Sequence, residues 1–363
     1  MPTVVIVGAG MTGLSAAQIL TDAGWDVQIL DKGHTPGGRF ASRWFGDRTR
    51  RIDVGAQFLS VRDGDFAHTV QSWESRGWAR TWCTGIPLLT ADALHHGVDG
   101  FTRWLGTGGM HALGRTLASA FTVRQPLTVT ALRHDGQQWS VRAVPGDSIR
   151  GMASGPATQI FADALILTQP APQIIALLND AELPLPAGIT DIRYDPCVAA
   201  IIDVPAATAP LLPHPGAVRI EDPASPLSWI ASARGRGEIT DGDLLLLHAR
   251  SDWSTAHHAH APATLAKILL TAAMPTLQRL GITQDLSHCS AEARLWRYSR
   301  CTTPHRDPYV RVDVEAPVAS TPTHTSPLRP LLVIAGDGFG SCPRVEGAWL
   351  SGRAAAQFIR DAK

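Results

Sequence analysis

The chain has 363 residues, 44% of them hydrophobic, which exceeds one ordinary domain and predicts two lobes, each with a full core. Lys+Arg 32 balances Asp+Glu 32, so no global field favours nucleic acid or an anionic membrane as a partner. Five scattered cysteines without a CxxC pair argue against a disulfide framework or a zinc site and predict reduced thiols, and no apolar run is long enough to span a bilayer.

In chain order, Thr3–Val7 is an apolar, β-branched run and reads as a buried strand. It begins at once, with no charged stretch and apolar stretch before it, so no signal peptide and a cytoplasmic location are expected. Leu14–Ala23 reads as a helix with Ala16, Leu20 and Ala23 on one face, ended by Gly24. Val27–Leu30 reads as the next strand. Further on, Cys197–Val204, Ala217–Glu221, Leu227–Ala231, Leu244–Ala249 and Ala291–Tyr298 read as strands of a second sheet, with a helix over Pro262–Leu280. Leu331–Ala335 is another buried strand, followed by an Ala- and Leu-rich helix over Val345–Arg360. Loops rich in Pro, Gly, Ser or Thr are expected at Pro145–Pro156, Pro205–Gly216 and Pro317–Pro330. No repeat of fixed period occurs, and no surface pattern fixes an oligomeric state.

Gly8-Ala9-Gly10-Met11-Thr12-Gly13 is a GxGxxG that follows a strand and opens a helix. Asp31 closes the next strand eighteen residues after Gly13, near the roughly 20 expected for a ribose-binding acid. Gly8 permits the tight turn, Gly10 lets a pyrophosphate approach the backbone, and Gly13 lets helix and strand pack closely. The helix N-terminus then offers free N–H groups to the phosphates. The unit serves NAD and FAD equally, so the segments around it must decide.

Gly37-Gly38-Arg39 resembles the second glycine pair of the amine oxidase-like flavoprotein superfamily, whose arginine helps hold the FAD pyrophosphate. Asp53-Val54-Gly55-Ala56-Gln57-Phe58 resembles that superfamily's segment beside the flavin ring. At the far end, Gly336-Asp337 ends a strand and puts a carboxylate where it can accept from ribityl hydroxyls. The helix from Val345 would aim its positive end at the flavin edge that becomes negative on reduction. Both chain ends therefore point to FAD. The contacts expected are Gly8, Gly10, Met11, Thr12, Gly13, Asp31, Lys32, Gly38, Arg39, Gly55, Ala56, Gln57, Val129, Gly336, Asp337, Arg344, Val345, Glu346 and Ala348.

The resemblance narrows further. Trp104-Leu105-Gly106 through Met110, Ala171-Pro172-Gln173, Ser228-Trp229-Ile230, Leu247-His248-Ala249, Trp253-Ser254, Arg294-Leu295-Trp296-Arg297-Tyr298 and Arg344–Arg353 follow in the order of bacterial renalases, so that nearly the whole chain resembles that family. The resemblance implies an α/β fold: a Rossmann-type FAD-binding domain, and a substrate domain built on a mixed or antiparallel sheet. Residues 1–70, 105–170 and 325–363 would form the first, and 71–104 and 171–324 the second. It implies an oxidase that takes hydride from dihydronicotinamide dinucleotides misreduced at ring position two or six. The products would be NAD(P)+ and, through O2, hydrogen peroxide. Such a donor gains aromaticity on losing hydride and needs no strong base, so an apolar aromatic pocket with a few hydrogen-bonding groups suffices. Trp229, Trp296 and Tyr298 are the candidate walls, and Ser228 and His248 the candidates for orienting a carboxamide. Arg234 and Arg236 are candidates for a phosphate contact.

The chain departs from the family at Gly338-Phe339, where relatives carry a tryptophan directly after Gly-Asp, and at Ser232-Ala233, where they often carry an asparagine. Both departures bear on the substrate. His257, His258 and His260 read as a solvated helix start and not as a metal site, and no metal is expected. Cys342 reads as a loop thiol. Three other readings stay open: an amine oxidase, a biosynthetic oxidase acting on another reduced heterocycle, and a flavin-binding protein without turnover. Against the first, Lys267 is the only mid-chain lysine, and Arg344 stands where an amine oxidase would show an aromatic cage residue.

Overall fold

The computed structural model describes residues 1–45, 48–97, 99–146, 155–205, 212–314 and 330–362. The loops expected at 145–156, 205–216 and 317–330 lie wholly or partly outside the described residues, as do the boundary at 325 and Lys363. The chain packs as two compact units, Met1–Arg39 with Leu113–Arg193 and Cys301–Lys363, and Phe40–Ala112 with Tyr194–Arg300.

The first unit is built on a six-stranded sheet. From edge to edge its strands are Thr122–Arg124, Asp26–Leu30, Thr3–Val7, Ala164–Leu167, Leu331–Ala335 and Tyr309–Val312. The first five run parallel and Tyr309–Val312 runs antiparallel to its neighbour. The run Ala164–Leu167, which the sequence reading passes over, is fully buried between the opening strand and Leu331–Ala335. A parallel strand covered on both faces reads as a short continuous apolar run, too short to show a period. A meander of Leu127–His134, Trp139–Pro145 and Thr158–Ala162 adds a small antiparallel sheet.

The first helix begins at Met11, earlier than the expected Leu14, because the glycine turn itself delivers the chain into helical geometry: Leu14 N–H donates to Gly10 O at 2.9 Å. Gly13 therefore lies inside the helix, where a Cβ would come 2.0 Å from Gly8 O. The final helix, Val345–Asp361, packs against this one. Ser15 Oγ donates to Trp349 O at 2.9 Å, and a Cβ on Gly352 would meet Thr12 O at 2.1 Å. Chain ends more than 300 residues apart, as the Ser15–Trp349 bond shows, thus build one layer.

The second unit contains a seven-stranded sheet, in the order Ser290–Thr303, Arg193–Val204, Asp243–Ala249, Leu227–Ser232, Ala217–Ile220, Leu88–Leu89 and Leu94–His95. One pairing, Ala217–Ile220 with Leu88–Leu89, is parallel, so the sheet is mixed. The helix Pro262–Arg279 covers one face through Leu265, Leu269, Leu270 and Leu277. Strand parity sorts the side chains. Val198, Ala200, Ile202, Leu245, Leu247 and Leu295 belong to the cluster on the helix side, and Ala199, Ile201, Leu244, Leu246 and Trp296 to the opposite one. His248, in step with Leu244 and Leu246, shares that second face.

The compact units and the boundaries read from sequence part company at 40–70, 105–112, 171–193 and 301–314. Leu59–Ser60 pairs with Thr102–Gly106, which draws 40–70 and 105–112 into the second unit. The helix Ala171–Asp180 packs near Leu127–His134, and Tyr309–Val312 pairs with Leu331–Ala335, which hold 171–193 and 301–314 in the first. No helix among the described residues is long and apolar enough to cross a membrane.

Candidate functional site

In the first unit the expected nucleotide contacts converge on one end of the sheet. Gly8 takes a φ of +115°, open to glycine and strained for other residues. Gly37 N–H donates to Ala9 O at 2.8 Å, and Gly38 lies over Gly10, so that a Cβ there would come 3.2 Å from Gly10 Cα. The side of Gly10 itself is open: a Cβ built there meets no atom within 4 Å. The N-cap residues Gly10 and Arg344 make no side-chain cap on Met11–Asp22 or Val345–Asp361, so neither helix start is closed by its own cap residue. Two glycine turns pressed together, with an open side and an uncapped helix start, form the cradle a dinucleotide pyrophosphate requires.

Asp31 sits where the ribose acid was expected, and it also organises the turn. Its two carboxylate oxygens accept from Ala9 N–H at 2.7 Å and Gly33 N–H at 2.6 Å. Burial raises its pKa above the usual value, opposed by those two hydrogen bonds. One lone pair on each oxygen remains for hydroxyl donors. Arg39 makes a two-pronged ion pair with Asp337, at 2.6 and 2.7 Å, so the second glycine pair and the Gly-Asp strand end are joined directly. Gly336 N–H donates to Ser351 Oγ at 2.9 Å. Met11, Thr12, Glu346 and Ala348 are buried in the two helix starts, with Val345 half-buried beside them, while Arg344 is exposed at the cap of the last helix. Lys32 Nζ donates to Gln173 at 2.8 Å, and Val129 is a half-buried residue of Leu127–His134.

In the second unit, three of the five candidate residues, Trp229, His248 and Trp296, gather around one loop. Gly55, Ala56 and Gln57 follow the strand Arg50–Asp53, and Val54 O accepts two hydrogen bonds, from His248 Nε2–H at 3.2 Å and Trp296 Nε1–H at 3.0 Å. A carbonyl only accepts, so this contact places the His248 proton on Nε2. Desolvation pulls the His248 pKa down to about 4, with the Arg236 charge adding to it and the Val54 bond opposing it. The ring is neutral at physiological pH. Trp229 Nε1–H donates to Gln57 Oε1 at 3.2 Å.

Trp229 faces this loop because the strand is bulged at Ser228. Leu227 packs with the helix-side cluster and Trp229 with the opposite one, although both are odd-numbered. The ladder with Asp243–Ala249 shifts register between them, and the Ser228 hydroxyl lies 3.3 Å from His248 O and 3.5 Å from Ala249 O. Its proton is turned to the backbone, leaving its lone pairs as what it can offer. Tyr298 meets Tyr194 edge to face at 5.8 Å.

Several expectations need correction. Arg236 is no phosphate contact: its side chain is fully buried and bonded to Gln57 Oε1 at 2.7 Å and Gln57 O at 2.9 Å. Phe339 forms no exposed wall; it is 2% exposed and packs against His305. Ser232 is spent on buried Asp243 at 2.5 Å. The three histidines run from the end of the helix Ser251–His257 to the residue before the cap of Pro262–Arg279, each with Nδ1 at a backbone carbonyl. Burial pushes the thiols of Cys83 and Cys301 up to about 11 and Cys197 to about 12, so none of these three is a thiolate near neutrality.

The sequence reading missed the group that surrounds Gln57. Asp53 accepts from Ser42 Oγ at 2.5 Å and Met110 N–H at 2.9 Å, and lies 3.7 Å from Arg236. Glu238 lies 2.9 Å from Arg236, its carboxyl pKa raised by burial against the pull of that cation. The one signal for it is Arg236 and Glu238 standing close after an apolar strand, a pattern that does not by itself separate a buried pair from an exposed turn.

The model of the family of flavin-containing amine oxidoreductases matches residues 87–360, and that of the NAD(P)-binding Rossmann-like domain matches residues 6–72. The tRNA 5-methylaminomethyl-2-thiouridine biosynthesis bifunctional protein MnmC of Paracidovorax citrulli is 26% identical over 352 residues, covering 85% of this chain. The chain spans about half of that curated relative, 52% of its length. Among solved structures, putrescine oxidase bound to putrescine superposes with a TM-score of 0.63 at 13% identity, covering 99% of this chain and 98% of the other. A flavoprotein/dehydrogenase from Cytophaga hutchinsonii gives a TM-score of 0.55 at 13% identity, over 99% of this chain and 78% of that one. At such identity these two establish the fold alone. The family match covers most of the chain, and the protein belongs to the flavin-containing amine oxidoreductases. The cofactor of that family is a flavin, and the cradle described above fits FAD.

Proposed function

We propose that this enzyme is an oxidase of isomeric dihydronicotinamide dinucleotides, those reduced at ring position two or six, and that it returns NAD(P)+ and hydrogen peroxide. In this reading Gly8, Gly10, Gly13, Asp31, Gly38, Arg39, Asp337 and Glu346 hold FAD. Trp229, Trp296 and His248 form the substrate wall. Bound FAD supplies a two-electron acceptor that takes hydride from the donor and gives the electron pair to O2, which leaves as hydrogen peroxide with one proton from solvent.

The observation that supports this reading is the state of His248, the one titratable side chain assigned to that wall. An amine reacts in its neutral form, and a group titrating near neutrality would help it shed its ammonium proton. His248 is neutral down to about pH 4, and its Nε2–H is committed to Val54 O. Lys267 is exposed on the helix Pro262–Arg279. A dihydronicotinamide loses hydride and becomes aromatic without giving up a proton, so the wall has only to orient the ring and exclude water. Neutral indoles and a neutral imidazole suit that task.

A rapid-mixing experiment under anaerobic conditions tests it. The purified holoenzyme is mixed with the two- and six-position dihydro isomers, with ordinary NADH, and with putrescine and other primary and secondary amines. Fast bleaching of the flavin by the isomers alone is the expected result. Faster bleaching by any amine would sink the proposal and return the enzyme to amine chemistry.

A further inference from the structure

A buried arginine is costly, since a guanidinium leaves water at a penalty of several kcal/mol and repays it only through well-made contacts. Arg236 is fully buried in the second unit, and its contacts are concentrated on one residue. One arm donates to the Gln57 side chain and the other to the Gln57 carbonyl, at 2.7 and 2.9 Å. Gln57 in turn closes its own loop, donating from Nε2 to Asp53 O at 2.7 Å and Gly55 O at 3.1 Å. Asp53, at the other end of the loop, is tied to Ser42 Oγ and Met110 N–H and lies 3.7 Å from the same guanidinium. Behind it, the guanidinium carbon lies 5.0 Å from the Trp82 ring centre, and Glu238 is its nearest counter-charge.

The span between these anchors is Val54-Gly55-Ala56, which has no polar side chain of its own. Its functional atom is the Val54 carbonyl, shared by His248 and Trp296. Those two rings come from different strands and both hydrogen-bond this one oxygen. Whatever sets the position of residues 54–56 sets both rings at once.

We infer that Arg236 is a positioning residue: acting through Gln57, it fixes the Val54–Ala56 backbone and thereby the orientation of the His248 and Trp296 rings. This rests on the reading of those rings as the substrate wall. The role needs a planar, two-armed donor. Lysine keeps the charge but cannot reach both oxygens in one plane, so it fails here even though it is the nearest substitute in charge.

The test uses holoenzyme carrying Arg236→Lys, Gln57→Met, or both, and two readouts. The first is hydrogen exchange at the Trp296 indole N–H, followed by NMR on protein labelled at tryptophan nitrogen and assigned through Trp296→Phe. That group donates to Val54, not to Arg236 or Gln57, so a merely local packing defect leaves it protected. Each single variant should speed its exchange about tenfold or more, and the double variant should add little, since both changes cut one linkage. The second readout is flavin bleaching by the dihydro isomers. It should slow about tenfold to a hundredfold, the penalty expected for a displaced catalytic wall, while dithionite bleaches all forms at the wild-type rate.

Unchanged Trp296 exchange in both single variants, or additive effects in the double, would overturn the inference. If Arg236→Lys does not fold, Gln57→Met alone decides, because it leaves the arginine in place. Should the wild-type flavin ignore the dihydro isomers while the exchange effect holds, the positioning role stands and the proposed substrate falls.

Discussion

The glycine cradle of the first unit and the Val54–Gln57 loop of the second are both tight turns after a strand, yet they are held by opposite means. The cradle is made of backbone. Its working parts are N–H groups and missing side chains, and its close approaches involve atoms that cannot move aside, such as Gly8 O, 2.0 Å from where a Gly13 Cβ would lie. The loop is made of side chains from separate stretches of chain: Asp53 and Gln57, Trp229 and Arg236, His248, and Trp296. A backbone site should fail abruptly at a single added methyl. A side-chain site should degrade in steps and respond to pH.

The sharpest break is expected at Gly13→Ala. The new Cβ has no flexible neighbour to displace, so the helix must lift from the opening strand. A loss of about 3 kcal/mol or more in unfolding free energy is expected, together with loss of bound flavin. Urea unfolding and the ratio of flavin to protein absorbance measure the two effects. Retained flavin at wild-type stability would mean that the helix start is not rigid, and the contrast between cradle and loop would fail.

Next in size is Asp337→Asn. The two-pronged pair with Arg39 is lost, and with it the link between the second glycine pair and the strand end. FAD affinity should fall about tenfold to a hundredfold, the range for one charge-assisted hydrogen bond. Titration of flavin-stripped protein with FAD reads this out. Arg39→Lys should do nearly as much harm, because a lysine cannot span both carboxylate oxygens. If Arg39→Lys were silent, the pair would be a surface feature and not part of the cradle.

The same contrast accounts for what the sequence made legible. The GxGxxG, Asp31, Gly38, Arg39 and Gly336-Asp337 could be read because backbone sites demand glycine at fixed spacing, and such demands survive as short motifs. Strands of the second sheet could be placed from their apolar runs, although the element that turns Trp229 toward the loop, the bulge at Ser228, left no mark in the residue pattern. Ala164–Leu167 went unseen because four apolar residues give no period to detect. Arg236 reads from sequence as a candidate phosphate contact because burial of a charge depends on partners far away in sequence. Its partner Gln57 is 179 residues distant. Side-chain networks of that kind have no local grammar, and only the fold exposes them.

A smaller effect concerns pH and belongs to the loop alone. The His248 pKa in the folded chain is about 4, against 6.5 for an ordinary histidine. Below pH 6.5 the unfolded ring binds a proton that the folded ring refuses. Stability is therefore full above that point and declines as pH falls toward 4, below which the decline stops. The loss is at most about 3 kcal/mol, and less in practice because the ring keeps some contact with water. Urea midpoints at pH 7.5 and 4.5 should differ less in His248→Gln than in the wild type. An equal difference would show that His248 takes up its proton in the folded state, and the neutral wall would be lost as an argument against amines.

The smallest expected effect tests the same point from the other side. Lys267 is the one lysine in the second unit, and the helix that carries it exposes it to solvent while Leu265, Ala266, Leu269 and Leu270 on either side pack against the sheet. Its position follows from helical periodicity: an exposed residue between two buried pairs points away from the core. Lys267→Met should thus change turnover less than about twofold, within the usual spread for surface substitutions. In an enzyme that relied on a lysine to handle an amine proton or a water beside the flavin, the same change would be severe and would steepen with falling pH. Steady-state turnover of Lys267→Met between pH 6 and 9 distinguishes the two cases. A flat, near-wild-type profile leaves the second unit without a titrating lysine, which is the condition a base-free hydride donor requires.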